Sequence, residues 1–140
     1  MTGSDPAKAM ARALELARHA AQEGEVPVGA VLADSEGRSF EGRNRAGHDS
    51  PLCHAEMEAL TGALEAKGRH GLSDCVLYVT LEPCLMCLGA MVAARIGGLV
   101  YACPELRYGG VAALQALWRE GRYPHRFPVA LGSGGEEAKE

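Results

Sequence analysis

A chain of 140 residues that is 47% hydrophobic fits one domain with its own core and no need of disulfide staples. A formal net charge of −4 argues against a broadly basic nucleic-acid binder, and five cysteines, an odd number, argue against a complete disulfide framework. No apolar run approaches the roughly 20 residues of a membrane span, and Met1 to Lys8 lacks the apolar segment of a signal peptide, so a cytoplasmic protein is expected.

Asp5-Pro6 reads as an N-cap followed by proline in the first helical position. Met10, Ala13, Leu14, Ala17 and Ala21 recur at helical spacing, and Gly24 ends that helix. Val26 to Ala33 predicts a buried strand, residues 34–37 a turn, and Arg38 to Arg43 the return strand of a hairpin. Asn44 to Leu52 reads as a loop. A second helix is predicted over Cys53 to Lys67, a strand over Cys75 to Leu81, and a third helix over Cys84 to Arg95. A short strand, Leu99 to Cys103, precedes a loop from Pro104 to Gly110, a fourth helix from Val111 to Arg119, and an edge strand from Pro128 to Leu131. Residues 1–131 form one domain in this reading, and 132–140, with almost nothing to bury, a disordered tail. Helices alternating with strands imply an α/β sandwich in three layers, and the hairpin makes its sheet mixed.

Two short stretches carry the chemistry: His54-Ala55-Glu56 and Pro83-Cys84-Leu85-Met86-Cys87. Together they offer one nitrogen and two sulfur ligands, enough for a zinc ion with an open fourth position, which is the mark of a catalytic site. Cys84 and Cys87, three apart, share a helix face. His54 and Glu56 are separated by about 200° of helical rotation, so they meet only if they lie in a first turn whose end faces the metal. The preceding Pro51 and Pro83 allow two such first turns, where free N–H groups and the helix dipole favour thiolates. Glu56 then need not bind metal and is free to move protons. Each stretch alone admits another reading. Cys-x-x-Cys also serves redox chemistry or half a structural zinc site, for which His48, Cys53, Cys75 and Cys103 are fourth ligands by residue type only.

The combination, His-x-Glu followed by Pro-Cys-x-x-Cys, resembles the zinc-dependent cytidine deaminase-like superfamily, and most nearly the bacterial tRNA adenosine deaminases. The likeness is carried by residues 25–32, 42–45, 54–56 and the long run 77–87, with 89–91, 95–97 and 100–101 continuing it. It implies a central sheet of five strands between helices, zinc on His54, Cys84 and Cys87, and Glu56 as proton shuttle. It also implies substrate contacts from Asn44, Ala55, Val28 and Glu105, and a homodimer. Asn44 by itself reads as an ordinary loop residue. The chain departs from the family at Glu105, where Asp is usual, and at Pro124, where Asn is usual before His-Arg. Past Leu131 it shows no counterpart of the family's C-terminal helix.

The function so implied is hydrolytic deamination of an amino-bearing nucleobase, foremost adenosine in a tRNA anticodon loop. A free base or nucleoside such as guanine or cytosine is the rival substrate, and a non-catalytic zinc-stabilised binding module the rival class. Tyr108, Tyr123 and Phe127 are candidates for base stacking. Trp118 reads as core or dimer interface. Cys53, Cys75 and Cys103 read as small apolar fillers. Arg95, Arg107, Arg119, Arg122 and Arg126 form either a solvated face or a basic rim for phosphates.

Overall fold

Asp5 starts the first element. Its Oδ1 accepts from the N–H groups of Ala7 (3.0 Å) and Lys8 (3.4 Å), and Pro6 occupies the first helical position, where a missing N–H costs nothing. The computed structural model describes residues 5–135. Helix α1, Pro6–Gln22, buries Met10, Ala13, Leu14 and Ala17 as the spacing predicts. Leu16 and Ala20 complete the buried face, and Ala21, expected inward, is exposed. Gly24, at φ +79°, turns the chain away.

The strands are β1 (Gly29–Ala33), β2 (Ser39–Arg43), β3 (Val76–Leu81), β4 (Gly98–Cys103) and β5 (Val129–Leu131). They form one mixed sheet in the order β2-β1-β3-β4-β5. β1 runs antiparallel to both β2 and β3, while β3, β4 and β5 are parallel. Helices α2 (Ala55–Lys67), α3 (Leu85–Ala94) and α4 (Val111–Arg119) cover one face, and α1 the other. Strand alternation divides the core accordingly. Val31, Ala33, Tyr78 and Ala102 pack toward α1. Ala30, Leu32, Leu77, Val79 and Leu99 join the α2–α3–α4 side. The expected three-layer α/β architecture, mixed and five-stranded, is the one observed.

The boundaries nearest the site differ from expectation. β1 begins at Gly29 rather than Val26, because Pro27 has no N–H for the ladder and the carbonyl of Val26 is taken by the N–H of Val28 (2.9 Å) and by Asn44 Nδ2 (3.2 Å). α2 begins at Ala55, after the N-cap His54, and α3 at Leu85, after the N-cap Cys84. Of the tail expected to be disordered from residue 132, residues 132–135 are described. Gly132 N–H donates to Tyr101 O (2.7 Å), and Gly134 lies against Leu14, so backbone contacts hold residues that bring no side chain to bury. The rest of that stretch, 136–140, lies outside the described residues.

Gly42 in β2 sets where α2 sits. A Cβ there would stand 2.1 Å from Ala55 O, so glycine lets the first turn of α2 rest directly on the sheet. The opposite end of α2 is anchored by charge. Burial by itself would raise Asp34, but hydrogen bonds from Lys67 Nζ (2.8 Å) and from the N–H groups of Arg38 (2.8 Å) and Glu36 (3.0 Å) hold it at about 2. Asp74, accepting from the Ser35 hydroxyl (2.6 Å) and facing Lys67, also sits at about 2. Both carboxyls therefore lie below their unfolded value of about 3.9. Their stabilising contribution is complete above that value and is lost as pH falls through about 2. Urea midpoints measured from pH 7 to pH 2 should fall mainly below pH 4. Asp34→Asn should cost about 1–3 kcal/mol at pH 7 and flatten part of that acid fall.

Candidate active site

Two helices begin at the site, and each begins on a residue that does not usually start a helix. Ser, Thr, Asp and Asn are the common N-caps. Here α2 is entered through His54 (φ −76°, ψ 153°) and α3 through Cys84 (φ −78°, ψ 173°). The extended backbone of an N-cap lets each side chain project past the helix end. His54 makes no side-chain cap bond and instead presents Nδ1 to the two sulfurs. Cys87, one turn into α3, brings its Sγ to the same point.

The three ligand atoms form a tight triangle. His54 Nδ1 stands 3.7 Å from Cys84 Sγ and 3.5 Å from Cys87 Sγ, and the sulfurs are 3.9 Å apart. Zinc bonds of about 2.3 Å to sulfur and 2.0 Å to nitrogen at tetrahedral angles place such atoms about 3.5–3.8 Å apart. The donor set therefore fits zinc in both softness and spacing. Among the described residues no further His, Cys, Asp or Glu joins this group, so His48, Cys53, Cys75 and Cys103 are not fourth ligands. Cys75 is buried and its thiol is pushed up to about 12 by that burial, as suits a core filler. Cys84 is the opposite case. Its interaction with Cys87, the N–H groups of Cys87 and Met86, and the nearby His54 together lower it to about 5 despite partial burial. Cys87, fully buried and next to that thiolate, is held well above the usual thiol range.

Glu56 is the second residue of α2 and is 4% exposed. Burial raises its carboxyl to about 7, against the pull of its own backbone N–H and of His54. It stands beside the ligand group and outside it.

Above these residues lies a cavity of about 310 Å³. His54, Ala55, Glu56 and Cys84 line it, with Val28 and Asn44 on one side and Glu105 on the other. Thus seven of the eight residues expected at the site line one cavity, and the eighth, Cys87, joins His54 and Cys84 behind it. Ala55, first in α2, has an N–H with no acceptor inside the helix. Asn44 Oδ1 accepts from Ala46 N–H (3.1 Å) while its Nδ2 donates to Val26 O, so it is a turn-forming asparagine and a cavity residue at once.

Other expectations divide. Tyr108 lines the cavity; Phe127 instead packs edge-on against Trp118 at 5.1 Å in the core. Tyr123 is not among the lining residues. Trp118 itself is buried, its Nε1 donating to His125 O (3.0 Å). The basic rim is dispersed: Arg107 alone of the arginines lines the cavity, Arg126 donates to Trp118 O, and Arg122 lies beside Glu120. Arg43 and Arg45, flanking Asn44, pair with Glu23 and Glu58. Glu82, Val26, Ala46 and Leu81 were not foreseen at the site. Val26 was hidden by its strand-like neighbours, and Glu82 by its place at a strand end.

Residues 4–103 match the sequence model of the cytidine and deoxycytidylate deaminase zinc-binding region. A tRNA-specific adenosine deaminase of Streptococcus pyogenes serotype M1 is 36% identical over 126 residues, covering 88% of this chain and 72% of that protein. A tRNA(Ile)-lysidine synthase of Deinococcus radiodurans is 47% identical over 111 residues, or 78% of this chain. The chain spans about a fifth of that relative's length. A structure from a study of A-to-I editing by tRNA:A34 deaminases superposes with a TM-score of 0.86 at 35% identity, covering 95% of this chain and 97% of that one.

Purified protein should carry zinc in stoichiometric amount by elemental analysis. His54→Ala and Cys87→Ala should each reduce zinc content about tenfold or more, whereas Cys75→Ala should not.

Proposed function

This chain belongs to the cytidine and deoxycytidylate deaminase zinc-binding family, and from that membership we propose that it hydrolytically deaminates a nucleobase, adenosine in a tRNA anticodon loop. One observation carries the reading. A His/Cys/Cys triangle that fits zinc lies beside a buried, unliganded carboxyl, and both line a cavity. Zinc bound by His54, Cys84 and Cys87 supplies a Lewis acid at which water ionises near neutral pH.

The chain's own residues do the rest. Glu56 Oε takes a proton from water and delivers it to the ring nitrogen next to the carbon under attack. A second proton passes through the same carboxyl to the departing amine, so water and substrate become the carbonyl product and ammonia. Burial suits Glu56 to this task, because a carboxyl held near 7 both accepts and donates protons at neutral pH. The Ala55 N–H, at the helix start and on the cavity wall, offers a donor to the developing oxygen. Val28, Asn44 and Glu105 line the cavity, and in this reading they are the residues that meet the substrate.

Support for an RNA substrate comes from the relatives, since both the deaminase and the synthase are named for modifying a tRNA. Among the described residues no helix is long and apolar enough to cross a membrane, and we place the protein in the cytoplasm, with its substrate. Support for a homodimer comes from α3. Its ten residues include no charged side chain, and it leaves Leu85 61% exposed. In light scattering the protein should have twice its chain mass of 14.7 kDa; a monomer at micromolar concentration would exclude the dimer.

Inosine formation should appear with an anticodon stem-loop carrying adenosine at the wobble position, with little ammonia from free guanine, cytosine or adenosine. The reverse order would transfer the assignment to free bases. Glu56→Gln should keep its zinc and lose about 10²–10⁴-fold in turnover. Retained turnover in that variant would refute Glu56 as the shuttle.

A further inference from the structure

Glu82 lines the cavity, yet the chemistry above gives it no part. Both of its oxygens are committed to backbone. Oε1 accepts from Glu105 N–H (3.1 Å) and Oε2 from Val111 N–H (3.0 Å). These two N–H groups bracket the loop between β4 and α4, which carries Glu105, Arg107 and Tyr108 to the cavity wall. Val111 is also the first residue of α4, a helix whose N-cap is Gly110 and which has no side-chain cap of its own. A carboxylate there satisfies an orphan donor and favours the positive helix end.

The surrounding backbone strengthens the link. Glu82 N–H donates to Cys103 O (2.8 Å) and Gly110 N–H to Pro83 O (2.9 Å). Segment 82–83, thus tied to both ends of the loop, leads directly into Cys84. Gly109 completes the fit. A Cβ there would stand 2.4 Å from Glu82 Cδ and 2.5 Å from its Oε2, so the carboxylate can lie along the loop only because residue 109 has no side chain.

We propose that Glu82 is a positioning residue, which fixes the 104–110 loop to the strand end that bears the metal half-site and so sets where Glu105, Arg107 and Tyr108 meet the substrate. This rests on the deaminase reading for its kinetic consequence but not for the clamp itself. Glu82 differs from Glu56 in its partners: both of its oxygens are held by N–H groups of the facing loop, whereas Glu56 sits against its own backbone N–H and the ligand cluster.

The test uses Glu82→Gln and Gly109→Ala in the full chain. Gln keeps the size but turns an N–H group toward one of the two amides, so one charged hydrogen bond is lost. Amide hydrogen exchange across 105–111 should quicken about tenfold or more in both variants, with zinc content retained. On the anticodon stem-loop, KM should rise about tenfold in Glu82→Gln while kcat changes less. Unaltered exchange in the loop, or a fall in kcat with KM unmoved, would overturn the positioning role. A wild-type protein that turns over neither RNA nor free bases would refute the functional reading, and loop exchange would then decide the clamp.

Discussion

Two helix N-termini aimed at one point are the constraint on which the rest depends. Each helix start offers unpaired N–H groups and a positive field, and each is entered through a ligand, His54 or Cys84. The convergence, through the Cys87 side chain and the N–H groups of Cys87 and Met86, lowers the Cys84 thiol to about 5. It also dictates the sheet. β3 must deliver Cys84 where its strand ends, and Gly42 must let α2 lie close enough for His54 to reach across. The opposite end of α2 is held by Lys67 between Asp34 and Asp74, so the helix is pinned at both ends.

Three carboxylates near the cavity show how surroundings, rather than residue type, assign a task. Glu56 is buried, and burial outweighs the pull of its own N–H and of His54, so its carboxyl rises to about 7. Glu82 gives both oxygens to backbone donors and acts as structure. Glu105, on the loop that Glu82 holds, accepts from Arg107 N–H (2.8 Å) and lines the cavity. Motif spacing marks Glu56 in the sequence; the structural part of Glu82 is visible only in its hydrogen-bond partners.

The His54, Cys84 and Cys87 cluster was readable because its chemistry is local. Cys84 and Cys87 are three apart behind a proline, and His54 and Glu56 are two apart at a helix start, so spacing alone limits where they point. Element order was readable for a similar reason, since β-branched runs and glycine punctuation are short-range signals. What escaped was long-range. Val26 has the composition of a strand, and only the demand of Asn44 for its carbonyl, together with Pro27, takes it out of the ladder. Glu82 meets partners 23 and 29 residues away, a pairing that no local pattern encodes. The scatter of the arginines was equally invisible, because Arg43, Arg45 and Arg126 are taken up by Glu23, Glu58 and the Trp118 carbonyl, partners far along the chain or across a turn.

The path of the last described residues has a consequence for architecture. Gly132 follows β5 along Tyr101, and Gly134 settles against Leu14 of α1, on the sheet face opposite the metal-bearing helices. The stretch after β5 is thereby moored to the sheet edge and to α1, and among the contacts of Gly132 and Gly134 none is shared with the α2–α3–α4 side that carries His54, Cys84 and Cys87.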